Sequence, residues 1–386
     1  MTESIQDVVI AGGSLAGFIS AREISKFGHS VTVLEEHNEI GNPEKCDGLV
    51  SINALSSLGL LPKKNTIQNK IIGARLFSPS GVKIDIDSSN LDIVVLDRKK
   101  FDIELYENAL SDGAVVYKSS RFLECNNYEN HFIISSSTGR YHCKYFVDAM
   151  GTASFVKRQK SGILQAAKYI VEANWFEPNK VDLYFNQKLS PGFFTWVIPI
   201  NEHLAKVGIA GYGINSFDNL NYFLKNRPCK IIKKIACPII VSGPLENFVN
   251  DGVIFVGDSA GQTKPSTAGG IYSGGMGGLF AGQSIHKSLI TKKNYLLQYE
   301  ENWKKLFSNE FKSTSRFRKI FNKLDNNQLD EMFNILSSSP SFQSSINKIG
   351  DFDFHSFTLI QSLGIKKITK MFGIVSNNEL RKLFNN

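Results

Sequence analysis

Residues 7–35 constrain the fold more than any other stretch. Asp7-Val8-Val9-Ile10 is a short, near-continuous apolar run, the pattern of a strand buried on both faces. It leads into Ala11-Gly12-Gly13-Ser14-Leu15-Ala16-Gly17, a turn of small residues. Leu15 to Phe27 then keeps helical spacing through Leu15, Phe18, Ile19 and Ile24, with Gly28 as the stop. Val31-Thr32-Val33-Leu34-Glu35 reads as a second strand ending on an acid. Such a β-α-β unit places a tight turn at the start of a helix, where the backbone at Gly12 and Gly13 can approach a pyrophosphate. Ala16 and Gly17 keep the helix start small, and Gly17 lets the helix pack closely on the strand. Glu35 lies 23 residues after Gly12, where a carboxylate accepts from ribose hydroxyls and repels a 2′-phosphate. Ser14 stands where the middle glycine of G-x-G-x-x-G is usual, which either loosens the close approach or adds a hydroxyl to the phosphate contacts. The competing reading is a glycine-rich turn with no nucleotide.

A second glycine run lies about 240 residues downstream, Gly252-Val253-Ile254-Phe255-Val256-Gly257-Asp258-Ser259-Ala260-Gly261. It too reads as a buried strand, a small-residue turn and a helix, the last carrying Gly274, Gly275, Gly277 and Gly278. Together the two runs suggest one dinucleotide held between two halves of one domain. Between them, Gly41 to Ser51 is a loop and Ile71 to Ile86 alternates like strands around a Ser78-Pro79-Ser80-Gly81 turn. Val94 to Leu105 runs from strand to helix, and Val115 to Val147 offers three strand candidates before a turn at Asp148 to Gly151. Residues 165–245 are dominated by aromatic-rich strands, at Ala167–Phe176, Val181–Phe185, Phe193–Pro199 and Lys206–Tyr212. Alternation puts Phe194 and Trp196 on one face, as core filling or as the wall of an apolar cavity.

Residues 283–386 are helical in pattern. Trp303, Phe307, Phe311, Phe317 and Phe321 recur there amid Lys and Arg. They read as core-facing aromatics on basic amphipathic helices, with a membrane-surface region as the alternative. The whole chain carries a net charge of +8, which suits nucleic acid, an anionic membrane or an anionic substrate. No nucleic-acid-binding motif accompanies it, so nucleic acid is not expected. No apolar run reaches the roughly 18–20 residues that span a bilayer, and the first strand has begun by Val8, which leaves no room for a signal peptide. Five scattered cysteines (Cys46, Cys125, Cys143, Cys229, Cys237) form neither a metal-ligand pattern nor a disulfide framework. No metal is expected. The expectation is a reduced, cytoplasmic protein, with peripheral contact at the inner membrane face left open.

Four motifs in order carry a resemblance. Pro43, Cys46, Gly48 and Ser51 make P-x-x-C-x-G-x-x-S, and Arg98, Phe101, Asp102 and Leu105 make R-x-x-F-D-x-x-L. Phe194-Thr195-Trp196-Val197-Ile198-Pro199, then Gly208-Ile209-Ala210, follows an aromatic-x-Trp-x-Phe-Pro strand and a G-x-G, with Ile198 and Ala210 departing from it. Gly257, Asp258, Ala260, Gly261, Pro265, Gly269, Gly270 and Ile271 meet every fixed position of G-D-x-A-G-x-x-x-P-x-x-x-G-G-I. The sequence thereby resembles the geranylgeranyl reductase family of flavoproteins, which includes archaeal digeranylgeranylglycerophospholipid reductases.

The resemblance implies an α/β chain, α+β overall, with the p-hydroxybenzoate hydroxylase-like fold. A Rossmann-type FAD-binding domain (1–164, with small inserted strands at 70–95, and 246–285) would carry an inserted antiparallel-sheet substrate domain (165–245) and a C-terminal helical region (286–386). FAD would meet Gly12, Gly13, Ser14, Ala16, Gly17, Glu35, Cys46, Gly48, Arg98, Gly257, Asp258, Pro265, Gly269, Gly270 and Ile271. Phe193, Phe194, Trp196, Pro199 and Gly208 would shape the substrate cavity, and Cys46 or a water near it is the candidate proton source. The implied activity is flavin-dependent reduction of isoprenoid double bonds on a membrane lipid precursor or prenyl diphosphate, with ferredoxin or NAD(P)H as donor. A monooxygenase or halogenase of the same fold is the alternative.

Overall fold

The computed structural model describes residues 4–128, 131–156, 162–339, 342 and 352–354. Its first sheet is built on the strand Gln6–Ala11, which pairs in parallel with Val31–Leu34 on one side and Gly139–Asp148 on the other. Val31–Leu34 pairs on with Val115–Tyr117, and Gly139–Asp148 pairs with Val253–Phe255, both in parallel. The strand of the second glycine run is therefore separated from that of the first by one strand. Val8 to Ala11 are fully buried, as the unbroken apolar run requires of a strand covered on both faces. The strands Phe122–Tyr128 and His131–Ser136 extend Gly139–Asp148 as an antiparallel meander. This stretch thus holds four strands where the sequence suggests three.

Helix Leu15–Ser25 covers this sheet and packs along helix Ile271–Thr291. The two approach closely because their facing residues are small. Ser20 Oγ donates to the Gly278 carbonyl at 3.0 Å, and a Cβ at Gly278 would press on the Ala16 carbonyl. Buried Asp148 ties the halves together from the other side. It accepts from Ser259 Oγ at 2.8 Å, Ser154 Oγ at 2.6 Å and the Met150 amide at 3.0 Å.

The second sheet runs in the order Lys230–Ala236, Ile163–Glu172, Leu204–Gly211, Thr195–Pro199, Lys180–Tyr184, Gly73–Phe77, Lys83–Asp87. Here the structure departs from the expected boundaries. The hairpin 73–87 is no insertion within the first domain but the edge of the second sheet, and Gly73–Phe77 joins in parallel with Lys180–Tyr184. Local alternation reveals a strand but not its distant partner. Ile67–Ile71, Ile93–Leu96 and Leu49–Ser51 form a third, three-stranded sheet.

Helices Leu296–Phe321 and Asn326–Ser337 follow. Trp303, Phe307 and Phe311 are buried against the first domain. Trp303 Nε1 donates to the Ser273 carbonyl at 2.9 Å, and Tyr299 Oη donates to the Phe255 carbonyl at 2.6 Å. These aromatics are core residues. The expected C-terminal helical region beyond Ser339 lies largely outside the described residues. Among the described residues, no helix is long and apolar enough to cross a membrane.

Candidate functional site

One cavity of about 850 Å³ joins the two glycine runs, the Cys46 loop, the inner face of the second sheet and the C-terminal helices. At the nucleotide end it is lined by Gly12 to Ala16, Glu35 and the Ala149 to Ala153 turn. Gly12 has a φ of +106°, and a Cβ there would strike the Ala149 carbonyl, so the turn stays open only as glycine. Gly17 does not reach the cavity, because it is pressed against the Gly12 carbonyl. Glu35 caps the turn from below. Its Oε2 accepts from the Gly13 amide at 2.8 Å, and its Oε1 accepts from the His37 amide at 2.9 Å.

Arg98 opens helix Arg98–Ser111, is 6% exposed and lines the same end. Its Nη2 donates to Asp102 Oδ1 at 2.8 Å, and Ser14 Oγ reaches Asp102 Oδ2 at 3.4 Å. Burial opposes the guanidinium charge, but Asp102 and then the neighbouring Cys46 thiol outweigh it and hold its pKa above the ordinary value. Among the described residues, Arg98 Nε is buried with no acceptor. A buried guanidinium that keeps its Nε–H without an acceptor, beside a turn that only glycine can form, fits the phosphates of FAD.

Across the cavity, Gly257–Ala260 is a short 3₁₀ turn closed by left-handed Gly261. Asp258 is exposed to the cavity and accepts from Thr263 Oγ1. Gly269, Gly270 and Ile271 line the wall where helix Ile271–Thr291 begins. Its N-terminal amides favour a partial negative charge there. Gln262 braces this turn, accepting from the Gly257 amide at 2.8 Å and donating to Tyr299 Oη at 2.9 Å. Pro265 does not line the cavity. Its carbonyl instead accepts from Arg318 Nη1 at 3.0 Å.

The Cys46 loop is anchored by residues that the sequence does not single out. Cys46 is exposed and faces the cavity, as does Gly48. Beneath the loop lie Lys168 and Lys206, both 0% exposed. Lys168 Nζ donates to the Cys46 carbonyl at 2.9 Å and to Asp47 Oδ1 at 3.0 Å. Lys206 Nζ donates to the Asp47 carbonyl at 2.9 Å and pairs with Glu44 Oε1 at 2.7 Å. Trp196 Nε1 donates to the other Asp47 oxygen at 2.8 Å. Burial pushes the Lys168 pKa down, but Asp47 and Glu44 outweigh it and leave it raised. In sequence these lysines sit within strands, with nothing local to mark them. Only the register, which sets Lys168 and Trp196 on either side of Gly208, brings them under the loop.

The remaining length of the cavity is apolar. Phe193 and Phe194 stack with centroids 4.0 Å apart, and Trp196 stands edge-on to Phe194 at 6.2 Å. Leu76, Ile84, Ile86, Leu183 and Phe185 continue the wall, and Phe321, Phe333 and Leu336 face it from the C-terminal helices. Gly208 and Pro199 do not line it. Gly208 lies behind Trp196, where a Cβ would collide with the indole, and the Pro199 carbonyl accepts from Asn69 Nδ2 at 3.0 Å.

Residues 6–219 match the FAD binding domain family. An uncharacterized protein of Methanocaldococcus jannaschii is 31% identical, over 95% of this chain and 97% of the relative. The digeranylgeranylglycerophospholipid reductase of the same organism is 28% identical, over 87% of this chain and 91% of its own length. A geranylgeranyl bacteriochlorophyll reductase-like protein from Thermoplasma acidophilum shares the fold with a TM-score of 0.86 at 23% identity, covering 99% of this chain and 100% of the other.

Proposed function

The chain belongs to the FAD binding domain family and, within it, to the geranylgeranyl reductase flavoproteins, and from that premise we propose that it reduces isoprenoid C=C bonds on an anionic lipid precursor or prenyl diphosphate. It is an FAD-dependent oxidoreductase. The observation that carries the finer reading is the continuity of the cavity, from a cradle with phosphate-binding features to an aromatic, chain-length apolar wall.

FAD would lie along Gly12 to Ala16, Glu35, Arg98, Asp258 and Gly269 to Ile271, and in its reduced form it supplies a hydride. Phe193, Phe194 and Trp196 keep water from the reacting bond, and their faces tolerate cationic character at a trisubstituted carbon. Cys46 holds a proton at Sγ beside the Arg98 guanidinium. Transfer of that proton to one alkene carbon leaves a thiolate that Arg98 stabilises, and solvent restores the proton. The hydride is accepted by the other carbon, so one C=C becomes CH–CH. The reducing electrons come from outside the chain, from a ferredoxin or from NAD(P)H bound in passing.

The test is anaerobic mixing of the reduced holoenzyme with a geranylgeranyl lipid. Flavin reoxidation should depend on the alkene, and the product should gain two hydrogens per bond. Reoxidation indifferent to the alkene, with a persistent oxygenated-flavin spectrum on admitting oxygen, would favour a monooxygenase or halogenase. Cys46→Ala should keep FAD and lose about 100- to 10,000-fold in turnover. Unchanged turnover would remove Cys46 from the reaction.

A further inference from the structure

Arg318 occupies the last turns of helix Leu296–Phe321 and lines the cavity while only 6% exposed. Its guanidinium lies 5.3 Å from the Phe193 ring centroid and 5.4 Å from that of Tyr212. Nη1 donates to the Pro265 carbonyl at 3.0 Å, and Nε and Nη2 reach Tyr212 Oη at 3.4 and 3.3 Å. These contacts occupy at most three of the five N–H groups of a guanidinium.

Three other buried cations around the cavity have counter-charges, and a fourth, Lys264, reaches the Phe352 and Asp353 carbonyls. Arg98 has Asp102, Lys168 has Asp47 and Lys206 has Glu44. Among the described residues, no carboxylate pairs with Arg318. Burial pushes its pKa down, and only Tyr212 pushes back. A buried charge is normally neutralised by a partner. Here the open side faces the cavity, and the wall beside it is Phe193, Phe317 and Phe321.

We propose that Arg318 is the anion site of the substrate pocket, receiving a phosphate or diphosphate oxygen of the prenyl substrate while the chain lies along the aromatic wall. The planar fork of a guanidinium suits two phosphate oxygens at once. The inference rests on the prenyl-lipid reading above. It adds that recognition is by charge as well as by chain, and that the C-terminal helix supplies it.

The test uses the FAD-loaded enzyme with geranylgeranyl diphosphate and geranylgeraniol, which share a chain and differ in the anionic group. Binding is followed by calorimetry. The wild type should prefer the diphosphate. Arg318→Gln should lose about 10- to 100-fold in affinity for it and nothing for the alcohol. Arg318→Lys should keep part of the preference, and inorganic diphosphate should compete for the wild-type site. These last two arms decide the matter if Arg318→Gln does not fold. Equal loss for both ligands, no preference in the wild type, or a change confined to FAD affinity would overturn the assignment. A wild type that binds the diphosphate through Arg318 but reduces no alkene would instead remove only the reductase reading.

Discussion

At the scale of single residues, the five thiols separate sharply. Burial pushes Cys125 up to about 11 and Cys143 and Cys237 up to about 12, and it raises Cys229 as well. A thiol at 12 is thiolate to only about one part in 10⁵ at pH 7. Cys46 is exposed to the cavity. A brief maleimide pulse at neutral pH should therefore label Cys46 first, as read by peptide mass mapping, and a bound prenyl ligand should slow it. Labelling of Cys143 or Cys237 at a similar rate would contradict the burial described here. Cys46 was legible in the sequence because its loop carries a motif. Lys168, Lys206 and Arg318 were not, because nothing local distinguishes a buried cation from a solvated one. Their roles depend on what lies opposite, which neighbouring residues do not encode.

At the scale of elements, the glycine-run helices were legible because small residues clustered before and within them have few other uses. Their mutual packing was not. Helices Leu15–Ser25 and Ile271–Thr291 meet through Ser20 and Gly278, and a methyl group at Gly278 would press on the Ala16 backbone. Gly278→Ala should cost about 1–3 kcal/mol by overpacking and lower the melting temperature of the FAD-loaded protein by several degrees. An unchanged melt would show that the two helices separate more easily than their contacts imply. The second sheet teaches the same lesson. Its strands were readable from alternation, whereas the placement of 73–87 at its edge depended on pairing with Lys180–Tyr184.

At the scale of the molecule, the cavity is shared by the first domain, the second sheet and the C-terminal helices, so no one segment reveals its length. Ile86 lines its apolar part opposite residues of the helix Asn326–Ser337. Ile86→Trp should shorten that space. Turnover of a geranylgeranyl substrate should fall about tenfold or more, with a geranyl substrate little affected. Equal rates for both chains in the variant would place the bound chain elsewhere.

The order of strands in the first sheet also bears on how the chain is made. Gln6–Ala11 leaves the ribosome almost 250 residues ahead of Val253–Phe255, which with Val249–Asn250 completes the far side of its sheet. At about 5–20 residues per second that interval is roughly 10–50 s. Throughout it, the growing chain exposes a parallel-sheet edge that nothing yet covers, a hazard for aggregation. With FAD proposed to lie against both glycine runs, its full binding would follow this wait, and flavin supply during expression should govern how much protein emerges soluble.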